Sequence, residues 1–105
     1  MEISSEALEG VTQFLDYIGV VNQAPLNAKR WWRKAAKAIE SLRYFPHRCP
    51  IAPEAEICNY EVRALIIAPC LFLFHVDDAR TCVRVIVFRH GRQLPSKDRL
   101  PDTPA

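Results

Sequence analysis

The chain has 105 residues, half of them hydrophobic and a quarter charged, with a formal net charge of +2. That length and balance describe one soluble globular domain and exclude a chain disordered throughout, because the apolar content is enough to offset the entropy of ordering. No apolar run reaches the roughly 18 residues that a membrane-spanning helix needs. The longest, residues 64–74, is interrupted by Pro69 and Cys70.

The first ten residues are acidic and lack a basic stretch leading into an apolar one, so no secretory signal is expected and the cytoplasm is the expected compartment. Residues 1–3 predict a short strand. Ser4 or Ser5 suits a helix cap, with Glu6 and Glu9 near the positive helix end. Leu8, Val11, Phe14 or Leu15, and Ile18 recur at helical spacing, and Gly19 predicts the helix end. Pro25 suits the first turn of a second helix running to about Tyr44, since Pro46 disfavours helix at Phe45. Its expected apolar stripe is Ala28, Trp32, Ala35, Ile39 and Leu42, with Trp31 placed against the first helix or under a partner. Lys29, Arg33 and Lys37 share another face, with Arg30 and Lys34 beside them. Residues 47–59, studded with Pro50 and Pro53, read as a loop.

The period then changes. Residues 60–68 (YEVRALIIA), 70–76 (CLFLFHV) and 81–89 (TCVRVIVFR) are rich in strand formers, separated by Pro69 and by the turn DDAR at 77–80. A four-residue turn would set His75 opposite Cys82 and Cys70 opposite Val87, too far from Cys82 for a disulfide. After Gln93 the chain turns proline-rich, which predicts a loose tail over 94–105. The four cysteines form no Cys-x-x-Cys pair, so neither a metal nor a cofactor is expected. The fold class is α+β: an N-terminal helical hairpin on one face of a small twisted antiparallel sheet of three to four strands, with the other face open.

Charge is unevenly spread. Residues 1–27 carry four acids and no base, whereas residues 28–92 carry twelve bases and six acids. The basic body implies an anionic partner for the second helix and the sheet.

Five pieces in order give a resemblance. They are the helix ending Leu15-Asp16-Tyr17-Ile18; Ala28, Trp32, Ile39, Leu42 and Pro46; Val62-Arg63-Ala64-Leu65; residues 71–76 with Asp77-Asp78; and VRVIVFRHGR at 83–92. Together they resemble the RelE/ParE superfamily, the small toxins of bacterial type II toxin–antitoxin (plasmid stabilisation) systems, over residues 3–93. The resemblance implies growth inhibition, a cognate antitoxin and a hetero-oligomer with it. RelE-like members are mRNA interferases that cut mRNA in the ribosome. ParE-like members poison DNA gyrase and need no nuclease chemistry. Ribosome-dependent mRNA cleavage is the first expectation the resemblance gives for the toxic step; a ParE-like gyrase inhibitor, or an inactive relative serving as a binding module, is the alternative.

Metal-independent RNA cleavage needs a base, cations at the phosphate and an acid for the leaving oxygen. Under the RelE-like reading Arg63 would clamp phosphate and His90 would be the acid, with Arg84 assisting and Arg92 or Arg89 binding. Arg63 shares strand parity with Glu61, which offers a pairing instead. Arg84 and Arg89 point to opposite faces unless a bulge intervenes. Lys29, Arg33 and Lys37 would grip phosphates or an acidic antitoxin segment. Two departures lean away from a nuclease: residues 50–62 hold three glutamates and no base, and no Tyr follows His90.

Overall fold

In the computed structural model, residues 2–21, 23–93 and 100–101 are described. The elements are β1 (Glu2–Ile3), α1 (Ser5–Asp16), a wide π turn (Tyr17–Val21), α2 (Pro25–Ser41), short 3-10 turns at Pro46–Arg48 and Pro53–Glu56, β2 (Arg63–Ile67), β3 (Cys70–Asp77) and β4 (Cys82–His90). Ser4 caps α1, its hydroxyl accepting the Ala7 N–H at 3.1 Å. Gly19 does not stop the helical path, which widens into the π turn and runs to Val21. Arg48 reaches back to the end of α2, donating to the Phe45 carbonyl at 3.1 Å and to the Ser41 hydroxyl at 2.5 Å.

The sheet order is β1-β4-β3-β2. The expected α+β architecture is present, but the sheet is mixed: β1 runs parallel to β4 and the other pairs are antiparallel. The long crossover between β1 and β4, which carries both helices, permits that parallel pairing. Helix α1 lies over β4 and α2 over β2.

The hairpin register also differs from expectation. Asp77 faces Cys82 and Cys70 faces His90, because β4 starts one residue later than expected and carries a bulge. Phe74 faces Val85 but Leu73 faces Val87, so Ile86 has no register partner. The separation expected of Cys70 and Cys82 holds, and all four cysteines are free thiols.

Two cores result. The helix-side core joins Ala7, Val11, Ala35, Ile39 and Leu42 to Leu65, Ile67, Phe72, Phe74, Val83 and Val85. Trp31, not Trp32, packs against it, in edge contact with Phe14 at 4.8 Å and Phe88 at 5.8 Å. Positions 28, 31, 35, 39 and 42 form the helical stripe, and Trp32 falls about 100° around from Trp31, where it is 38% exposed. The second face is not open. Ala52 and Val62 from the connecting loop, together with Leu100, cover Ala64, Leu73, Ile86 and Val87 there. Leu100 thus packs where a loose tail was expected, and the Tyr60 hydroxyl donates to the Pro101 carbonyl at 2.8 Å. The rest of 94–105 lies outside the described residues.

Candidate functional site

The bulge changes where the arginines point. Val85 belongs to the helix-side core, Ile86 and Val87 both belong to the second face, and Phe88 returns to the helix side. Arg84 and Arg89 therefore lie on the same face, the second one, five residues apart.

Neither presents a bare guanidinium there. Arg89 is buried with Glu54, with Nε donating to Oε2 at 2.5 Å and Nη2 to Oε1 at 3.3 Å, a fork-on-fork pair. Its Nη1 donates to the carbonyls of His90 and Gln93, at 3.3 and 2.9 Å. Arg89 thus staples the Pro53–Glu56 turn to the exit of β4, and its expected role as a surface contact is not met by this placement. Arg84 donates from Nε to Glu2 Oε2 at 2.8 Å, and that hydrogen bond raises its pKa against the opposing effect of desolvation, with the Glu2 charge adding to the rise.

Arg63 lies opposite Phe74, so its side chain starts on the helix side. Its Nε donates to Glu61 at 2.8 Å, and its Nη1 donates to the carbonyls of Cys49 at 2.7 Å and His47 at 3.3 Å. The pairing with Glu61 is the one that strand parity offers. The result is a clamp on the loop after α2. Burial raises the pKa of the neighbouring Cys49 thiol although the charges of Arg48 and Arg63 lower it.

His90 sits at the other end of the sheet. Along β3, its partner Cys70 is four residues from the partner of Arg63 and five from that of Arg84. At about 3.3 Å per residue, that is roughly 13 and 16 Å. Of the supposed cleavage site, Arg63 and Arg84 are thus held away from His90, and only Arg92 shares its surroundings. His90 instead lines a cleft of about 460 Å³ between α1 and the end of β4, with Arg92, Gln93, Gln13 and Phe14 among its walls.

The remaining expected contacts lie on α2. Lys29, Arg30, Arg33, Lys34 and Lys37 are exposed, and among the described residues none of them has an ion pair or hydrogen bond. Glu40 on the same helix is taken by Arg43 at 3.1 Å. Trp32, Ala36 and Glu40 with Arg33, Lys34 and Lys37 line a shallow groove of about 750 Å³. From Lys29 to Lys37 the basic stripe is roughly 12 Å long. No group of three or more His, Cys, Asp or Glu side chains is gathered to hold a metal among the described residues.

Sequence reasoning missed Glu54 and Glu2 as the partners of Arg89 and Arg84. A signal was present: residues 50–62 hold three acids and no base, beside strands rich in arginine.

A helical region packed on a four-stranded mixed sheet, with five cations unpaired among the described residues on one helix face, defines a small α+β domain. The family described as the ParE toxin of type II toxin–antitoxin systems, parDE, matches residues 1–95. The chain belongs to that family and is the toxin type of a toxin–antitoxin pair, which implies an antitoxin partner. No curated protein matches the chain as a relative. No described helix is long and apolar enough to cross a membrane.

Proposed function

We propose that this toxin inhibits growth by binding its target rather than by cutting RNA, with DNA gyrase as that target, as the ParE-like resemblance implies. The observation that carries this reading is the dispersal of the candidate cleavage residues. Arg63, Arg84 and Arg89 each hold a carboxylate, and His90 stands roughly 13 Å or more from the first two along the sheet. Phosphate chemistry needs its cations and its acid around one reacting group. Five cations without described partners instead line one face of α2 beside Trp32, which suits docking.

In this reading the antitoxin meets the same face with an acidic, partly apolar segment, and the two proteins form a hetero-oligomer in the cytoplasm. Induced expression without antitoxin tests it. A DNA-damage response with intact mRNA is the expected result. Cuts in ribosome-bound mRNA that disappear in Arg63→Lys and His90→Ala variants of normal stability would establish the nuclease reading instead. No growth defect at all would leave an inactive binding module.

A further inference from the structure

The cleft at the end of β4 has an unusual chemical lining. Its polar lining comes from Gln13 on α1 and from Arg89, His90, Arg92 and Gln93 at the strand exit, with Phe14 and Phe88 as an apolar wall. Among the described residues no carboxylate lines it. Glu54, whose partner Arg89 reaches the cleft, is committed to that arginine on the far side of the sheet. Glu9, one helical turn before Gln13, is not among the lining residues. A concave site furnished with hydrogen-bond donors and one guanidinium that no described carboxylate pairs attracts an anion.

The strand exit is held in place for this. The Arg92 N–H donates to His90 Nδ1 at 3.1 Å, which places the proton of the neutral ring on Nε2 and makes that nitrogen a donor. The His90 N–H donates to Gln93 Oε1 at 3.0 Å, which leaves the Gln93 amide –NH2 to donate elsewhere. The Gln93 N–H closes the turn on the His90 carbonyl at 3.0 Å. The buried Arg89 grips the carbonyls of both His90 and Gln93 from below. Four residues are thus cross-braced before any ligand arrives, which lowers the ordering cost of binding. Gly10 lets α1 approach, since a Cβ there would stand 3.1 Å from Phe88 Cδ1.

We propose that this cleft binds a mononucleotide-sized phosphate ester, with Arg92 and His90 holding the phosphate and the Phe14–Phe88 wall receiving the flat organic part. An arginine fork with separate imidazole and amide donors suits the three oxygens of a phosphate better than the two of a carboxylate. The volume of about 460 Å³ is that of a small-ligand site. This site is separate from the basic face of α2 and stands whether or not that face contacts gyrase.

The test is a titration of the full chain followed by amide and side-chain NMR. Adenosine monophosphate is the probe, with inorganic phosphate, adenosine and acetate as further arms. Adenosine monophosphate is expected to shift Gly10, Gln13, His90 and Arg92. Inorganic phosphate is expected to shift His90 and Arg92 more weakly. Adenosine and acetate are expected to have little effect at the same concentrations. Arg92→Ala should weaken binding by roughly tenfold, Arg92→Lys by less, and Arg33→Ala not at all. Arg92 is exposed, so its variants fold. Shifts confined to residues 29–37, equal binding of acetate, or an Arg92→Ala variant that binds as before would overturn the proposal.

Discussion

Three arginines in the sheet strands and five cations on α2 carry the same kind of charge in opposite circumstances. Arg63, Arg84 and Arg89 have side chains 17%, 13% and 5% exposed, and each holds a carboxylate at hydrogen-bond distance. The cations of α2 stand in solvent with no described partner. The first group is structural: its charges are consumed in joining the loop, the N-terminal strand and the β4 exit to the sheet. The second group is the one left available for the docking proposed above. The net charge of +2 therefore understates the positive field over α2. Of the six acids among residues 28–92, five pair away from the α2 stripe: Glu54 and Glu61 with sheet arginines, Glu40 with Arg43, Asp77 with Arg80 and Asp78 with His47.

The comparison breaks most visibly at the buried pair. Glu54→Ala leaves a guanidinium buried without its counter-charge, and the expected loss is about 3–5 kcal/mol of folding stability in urea. Replacing both partners, Glu54→Leu with Arg89→Met, is expected to restore most of that loss, because two desolvated charges are removed together. Equal losses in the single and double variants would mean that apolar packing around these side chains, not the charge pair, holds the loop to the sheet.

A smaller effect sharpens the same contrast through the thiols. Burial pushes the Cys70 thiol up from 9.0 to about 11, and it raises Cys49 against the opposing charges of Arg48 and Arg63. In the unfolded chain these thiols ionise at their ordinary pH. Between about 9 and 11 the folded state therefore binds more protons than the unfolded one. Stability is expected to be level with respect to these groups below pH 9 and to fall as pH rises through that window. A Cys70→Ala variant should show a shallower decline in urea titrations. An unchanged slope would assign the decline to other groups.

Much of the fold is legible in the residues themselves. The strand run broken by Pro69, the turn after Asp77 and the start of α2 at Pro25 each rest on local chemistry, and each appears close to where it is expected. What was not legible depends on distant contacts or on a single residue. A bulge at Ile86 leaves no mark in composition, yet it turns Arg89 to the face that Arg84 occupies. Trp31 and Trp32 are the same residue type side by side, and both fit a spacing of three and four. Only the position of α1, with Phe14 against Trp31, selects between them. The site was harder still, because Arg89 pairs across 35 residues and Arg84 across 82. Parity within a strand found the local pair of Arg63 with Glu61 and could not find the others.

The α2 face gives the smallest effect on folding and the sharpest test of the contrast. Lys29, Arg33 and Lys37 are exposed and make no described contact, so reversing all three to Glu is expected to change stability by no more than about 0.5 kcal/mol per site. Nothing in the core depends on them, and three fewer cations on one helix also relieves mutual repulsion. Their charge is nonetheless what the proposed docking face would offer a partner. The triple variant should therefore fold as the parent does, by urea unfolding, and should lose both growth inhibition and co-purification with the antitoxin. Loss of growth inhibition with antitoxin binding retained would separate the two partners and give α2 to the target alone. A variant that keeps both activities would show that the unpaired stripe is only a solvated helix face, and the contrast between consumed and available charge would then have no functional meaning.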